Sequence, residues 1–393
     1  MISQIDAPAA SSEPGWSQAL YTGAAGIALA HIEAARAGIA DWATVYRWVT
    51  AMVREPVSAD PRTCGLHQGA PAVAFVLRSA GQPAYATAVD QLDVHVAAII
   101  RHRLDCAHAR MDAGRRPALA EYDLIRGLTG LGVYLLYGRV EEDLLRDVLA
   151  YLVRLTRSIT CDGVSLPGWW SHHGPEDRPS PSWPGGHANL GVAHGIAGPL
   201  ALLSSAVRRG VIVDGQIDAV ERICAWLDDW KMGSGTAAWW PGTISAGEYR
   251  TGTLTYSRAQ RPSWCYGTPG LARAQQLAGL ALEDPARQQV AEQAMAGCLA
   301  DPCQLAQLRD ASLCHGWGGL GLIAVRMAAD SVESEVFVRR DVARRIAARL
   351  TVTTPASSPA LLDGRAGVQL AHHAVTTGRP PRIDWDASLL LSG

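Results

Sequence analysis

Hydrophobic and polar positions fall into two kinds of segment that alternate along the chain. The first kind is almost wholly apolar, rich in Ala and Leu, and opens on two glycines three residues apart. It reads TGAAGIALA from Thr22, RGLTGLGVYLL from Arg126, HGIAGPLALL from His194 and YGTPGLARAQQLAG from Tyr266. It recurs as HGWGGLGLIAVRMA from His315 and DGRAGVQLAHHAV from Asp363, and QGAPAVAFVL from Gln68 is a degenerate copy with the first glycine alone. Good helix formers follow each glycine pair, which predicts a loop entering a helix, with the first glycine supplying a permissive backbone and the second close packing. The second kind carries apolar and charged faces at helical spacing, as in Asp218–Trp230, Asp284–Ala300 and Ser334–Leu350.

Seven copies, numbered one to seven by first glycines at positions 23, 69, 127, 195, 267, 316 and 364, recur at the period of a helix-pair repeat. Each repeat is therefore read as one apolar and one half-polar helix, and the fold class as all-α. Such pairs make an open solenoid or a closed ring. An apolar set alternating with an amphipathic set favours closure, an α/α toroid with an inner and an outer layer. All the glycine loops would then lie at one end of the inner layer, where a site would form. The 393 residues are expected to form a single domain, 1–393, with insertions at about 160–190 and 233–265. The insertions hold Trp169, Trp170, Trp183, Trp239, Trp240 and Trp264 beside Pro and Gly. These tryptophans either wall a groove or serve as packing mass.

Composition narrows the function. Apolar residues make up 48% of the chain and charged residues 18%, a globular balance rather than a disordered one. A net charge of -2 gives no basic field for nucleic acid. No apolar run is long enough for a membrane span, and the first residues lack the basic and apolar regions of a secretion signal, so the expected location is cytoplasmic. Eight cysteines in a chain this long do not make a disulfide scaffold.

Reactive residues gather just before three of the first glycines. Copy four has His194, copy five has Arg261, Cys265 and Tyr266, and copy six has Cys314 and His315. If the loops share one end of a ring, Cys265, Cys314 and His315 converge. Two thiolates and an imidazole suit one zinc ion per chain, with the fourth position open as in a catalytic site. His194 is then a fourth ligand or a general acid/base beside the metal. Arg261 could hold developing negative charge, and Asp123, four residues before Gly127, could orient His194. Cys64, Cys106, Cys161, Cys224, Cys298 and Cys303 lie off this register and read as structural.

The strings NLGVAHGIAG (189–198), SWCYGTPG (263–270), LCHGWGGLG (313–321) and EYDLIRGLTGLGVYLL (121–136) resemble the motifs of the lanthipeptide synthetase C-like proteins, the LanC cyclases. The resemblance covers nearly the whole chain; copy two departs from it by lacking the second glycine. It implies an α/α toroid of seven inner and seven outer helices. It also implies zinc ligation by Cys265, Cys314 and His315, and site roles for His194, Asp123, Arg261 and Tyr266. The implied reaction is addition of a Cys thiol of a dehydrated ribosomal precursor peptide to dehydroalanine or dehydrobutyrine, forming lanthionine thioether rings without an organic cofactor. A separate dehydratase and an exporter are the further partners implied. Other readings are a non-catalytic zinc scaffold and a glutathione-binding or glutathione-adding relative. A zinc prenyltransferase-like ring fits less well, since its usual metal set includes an Asp.

Overall fold

The computed structural model describes residues 13–161, 163–331, 340–352 and 358–393. The chain divides into two compact units, residues 1–99 with 306–392, and residues 100–305 with 393. Among the described residues the structure is helical, with only two short two-stranded sheets.

In the first unit, the first helices of copies six, seven, one and two are Trp317–Asp330, Arg365–Thr377, Ala24–Arg36 and Ala70–Ala80. They pack side by side in that order. The second helices Trp42–Met52 and Arg340–Val352 pack against them. In the second unit, the first helices of copies three, four and five are Leu128–Gly138, Ala197–Arg208 and Thr268–Ala281, again packed in series. Their partners are Glu142–Leu155, Gln216–Asp229 and Pro285–Ala300. The first helices of copies one to six bury most of their side chains, whereas that of copy seven and the second helices bury one face. The expected helices Asp218–Trp230 and Asp284–Ala300 are present within two residues; Asp284 caps the latter by accepting the Arg287 N–H. Of the expected helix Ser334–Leu350, residues 334–339 lie outside the described residues. Copy seven is followed not by a full second helix but by a 3-10 turn, Trp385–Leu389.

Backbone hydrogen bonds stitch the loops within each unit in one register. The residue three before a first glycine donates to the carbonyl of the residue two before the next one. In the second unit Leu124 donates to Ala193 at 3.2 Å and Val192 to Cys265 at 2.9 Å. In the first, Leu313 donates to Leu362 at 2.9 Å, Leu361 to Tyr21 at 3.1 Å and Leu20 to His67 at 3.0 Å. This satisfies loop groups that helices leave unpaired.

The second glycines pack closely as expected, but the first glycines have a different role from the expected permissive backbone. The first glycine has positive φ only in copy two, at Gly69 (φ 74). Elsewhere the constraint is space. A Cβ on Gly270 would collide with the Trp264 carbonyl, and one on Gly367 with that of Leu361. The loop folds back over the start of its own helix, and only hydrogen fits beneath it. Copy two holds buried Ala72 where the second glycine would be, yet its helix still forms.

The Trp-rich insertions are packing mass at most positions. Trp169, Trp170, Trp239, Trp240 and Trp264 are buried, and only Trp183 is part-exposed. The Trp170 indole N–H donates to Gly185 at 2.9 Å and that of Trp240 to Leu227 at 3.1 Å. The two insertions are tied by the antiparallel pair His187–Asn189 with Thr243–Ser245. That pair leads directly into the His194 loop, so it fixes the loop from one side.

Candidate active site

The second unit assembles Asp123, His194, Tyr266 and the Cys265 loop. Asp123 follows the helical turn Leu119–Tyr122 and is fully buried. Its Oδ1 accepts the N–H groups of Arg126 (2.6 Å) and Gly127 (2.8 Å). Its Oδ2 lies 2.7 Å from Nδ1 of His194. The carboxylate is thus fixed by its own loop and the imidazole by the carboxylate. Nδ1–H donates to Asp123, which leaves Nε2 as the basic nitrogen. The His194 side chain keeps 30% exposure, so it is within reach of a peptide.

This loop is held from outside as well. Tyr122 donates its hydroxyl to the Trp169 carbonyl at 3.2 Å. Arg126 pairs with Asp177 of the first insertion at 2.9 Å. Burial raises the Asp177 pKa, but the N–H groups of Leu119 and Ala120 and the Arg126 guanidinium outweigh it, leaving the carboxyl below its usual range.

Tyr266 lies beside His194, with ring centroids 6.4 Å apart and planes inclined at 29°. Its hydroxyl accepts from Asn189 Nδ2 at 3.3 Å, while Asn189 Oδ1 accepts the Gly191 N–H at 3.0 Å. Asn189 is buried and was not singled out from sequence, because Asn in a glycine-rich loop reads as an ordinary turn residue. Cys265 is buried in the same unit, its Sγ 3.6 Å from Ser263 Oγ. Arg261 heads this loop but is exposed, and its side chain makes no hydrogen bond or ion pair among the described residues. The structure therefore joins Asp123, His194 and Tyr266, and leaves Arg261 outside that network.

The first unit holds Cys314 and His315. Cys314 Sγ, a His315 ring nitrogen and an Asp363 carboxylate oxygen lie within 4.8 Å of one another, the sole such donor group among the described residues. A thiolate, an imidazole and a carboxylate form a donor set that fits zinc. His315 faces two carboxylates: Nε2 is 3.3 Å from Asp310 Oδ2, and Nδ1 is 3.9 Å from Asp363 Oδ1. The hydrogen bond to His315 holds the Asp310 carboxyl well below the usual range, against the pull of burial. Asp310 Oδ1 also accepts the Ser312 N–H at 2.8 Å. Neither acid was expected from sequence. Asp363 had a visible signal, since it occupies the slot before Gly364 that His194, Tyr266 and His315 occupy in their copies.

The remaining cysteines offer no comparable chemistry. Burial pushes the Cys224 thiol up to about 12 and raises Cys298 as well. Cys106 and Cys303 are exposed and lie off the glycine loops. No helix among the described residues is long and apolar enough to cross a membrane.

Comparison with known proteins bears on this arrangement. The chain is similar to the nisin biosynthesis protein NisC of Lactococcus lactis subsp. lactis, 24% identical over 203 residues, or 51% of this chain and 47% of that one. The aligned part thus spans about half the length of that relative. The solved structure of a nisin cyclase superposes with a TM-score of 0.80, at 21% identity, over 96% of this chain and 93% of that one. This likeness bears out the α/α-toroid fold class. The model of the lanthionine synthetase C-like protein family matches residues 15–390, and the chain belongs to that family.

Proposed function

We propose that the chain is a zinc-dependent lanthipeptide cyclase acting in the cytoplasm on a dehydrated precursor peptide supplied by a separate dehydratase. The observation that carries this reading is His194, fixed on Nδ1 by buried Asp123 and set beside Tyr266. A binding scaffold has no need of an imidazole held in one tautomer next to a phenol. Cys265, Cys314 and His315 are the proposed zinc ligands. Bound there, zinc would supply a Lewis acid that lowers the pKa of a peptide thiol, which is near 8.5 when free.

The reaction forms one sulfur–carbon bond at the β-carbon and breaks the carbon–carbon π bond. One proton leaves sulfur and one is gained at the α-carbon, so the sum is balanced without a co-reactant. His194 Nε2 can serve both transfers. It accepts the thiol proton, the Asp123 carboxylate stabilises the resulting imidazolium through Nδ1, and Nε2 returns the proton to the α-carbon. Tyr266 is proposed to donate to the enolate oxygen, and exposed Arg261 to add positive charge nearby.

Incubation with a dehydrated, cysteine-containing peptide tests the reading, with residual free thiols trapped by alkylation because ring closure leaves the mass unchanged. Wild-type protein is expected to consume the thiols and His194→Ala to leave them. Equal ring formation by both would sink the role of His194. Zinc analysis of wild type, Cys265→Ala and Cys314→Ala tests the ligand set, with about one ion per chain expected in wild type alone. A chain that binds zinc and peptide but closes no ring is the scaffold.

A further inference from the structure

We propose that Asp310 is the positioning residue for His315: it holds Nε2 by hydrogen bond and thereby commits Nδ1 to the metal. The inference rests on the zinc reading above and deepens it, because neither Asp310 nor the choice of nitrogen is given by the ligand set itself.

Three observations meet here. Asp310 is anchored on two sides to its own loop: Oδ1 accepts the Ser312 N–H at 2.8 Å, and its carbonyl accepts the Trp317 N–H at 3.0 Å. Its other carboxylate oxygen reaches His315 Nε2 at 3.3 Å. The opposite nitrogen, Nδ1, faces Asp363 Oδ1 at 3.9 Å, and His315 and Asp363 share a donor group with Cys314. A nitrogen bonded to a carboxylate through its proton cannot ligate a metal with the same lone pair, so the ligand is the other nitrogen. A carboxylate behind a metal-bound imidazole fixes the ring and raises its basicity. Gly316 makes the arrangement possible, since a Cβ there would strike Asp310 Oδ1.

The test is zinc affinity of the full-length chain, measured by competition with a chromophoric chelator, alongside thermal melting of the zinc-free protein. Asp310→Ala is expected to weaken zinc binding about 10–100-fold. Asp310→Ser keeps an acceptor for the Ser312 N–H but is too short to reach His315, so it separates the turn from the contact. It is expected to lose affinity like Asp310→Ala while the zinc-free protein melts close to wild type. Asp310→Asn keeps its amide oxygen on the Ser312 N–H and turns an N–H toward Nε2, which puts the ring proton on Nδ1, so it is expected to lose affinity like Asp310→Ser. Zinc affinity of Asp310→Ser within about threefold of wild type would overturn the proposal and leave Asp310 a turn residue. A wild-type chain that binds no zinc would instead remove the metal reading, and this proposal with it.

Discussion

Two imidazoles, one in each unit, are held by the same device turned opposite ways. Asp123 fixes one carboxylate oxygen on the backbone of its own loop and offers the other to His194 Nδ1. Asp310 does the same and offers its other oxygen to His315 Nε2. The surroundings differ. Asp123 is fully buried, and its histidine comes from another copy at 2.7 Å, whereas Asp310 is 42% exposed and its histidine belongs to the same loop at 3.3 Å. Which nitrogen is tied decides which is left for chemistry. His194 presents Nε2, the nitrogen farther from the backbone, suited to carry a proton to a substrate. His315 presents Nδ1, close to its own backbone and 3.9 Å from Asp363 Oδ1, suited to a ligand. On the proposed function, one structural device would yield a proton carrier in one loop and a metal ligand in the other.

The largest expected effect comes from breaking the buried pair. Asn in place of Asp123 keeps the acceptor for Arg126 and Gly127 but turns an N–H toward His194. That forces the opposite tautomer, with Nε2 protonated. Ring formation by Asp123→Asn is expected to fall about 10²–10⁴-fold while zinc content stays at the wild-type level. Asp310→Ser is expected to do the reverse at the level of binding, losing zinc affinity. If Asp123→Asn lost zinc in step with activity, the division of labour between the two histidines would fail.

A smaller effect tests the space on which both loops depend. A Cβ on Gly316 would strike the Asp310 carboxylate, whereas one on Gly195 would lie 2.5 Å from the Asn189 carbonyl and side-chain oxygens. Each substitution to Ala is expected to cost about 1–3 kcal/mol of stability by overpacking. Their second effects should differ. Gly316→Ala should also weaken zinc binding, and Gly195→Ala should instead lower turnover through the Asn189–Tyr266 contact. Calorimetry with zinc titration checks the first, and melting with the thiol-trapping assay the second.

How far this comparison was legible from sequence follows from what each residue has to do. The glycine pairs were visible because no side chain fits under the folded-back loop at Gly270 or Gly367, so the pair repeats in six of the seven copies. Cys314, His315 and His194 stood out because they occupy one register. Asp123 was visible only by analogy of position, and Asp310 and Asn189 not at all. Asp and Asn before glycine are what any turn would use, and nothing local tells a carboxylate that caps a loop from one that also holds a ring. The insertions left two readings open for a related reason. Trp beside Pro and Gly suits a groove wall and a buried plug equally, and only the structure puts Trp169, Trp170, Trp240 and Trp264 inside.

A third imidazole supplies the control. His31, on the first helix of copy one, is buried against Trp48, and neither ring nitrogen has a hydrogen-bond partner among the described residues. No carboxylate ties it, and burial, with a smaller contribution from the Arg47 charge, lowers its pKa. The sign follows from linkage. With the folded pKa below the unfolded value of about 6.5, both states are neutral above that value. As pH falls below it, the unfolded chain gains a proton first, so stability is lost until the lowered folded pKa is reached. Replacing His31 with Phe removes this term and is expected to flatten the fall in Tm between pH 7 and 5 by about 1–2 °C. An unchanged pH slope in His31→Phe would mean that the buried ring is hydrated, and that an imidazole in this fold does not need a carboxylate to be accommodated.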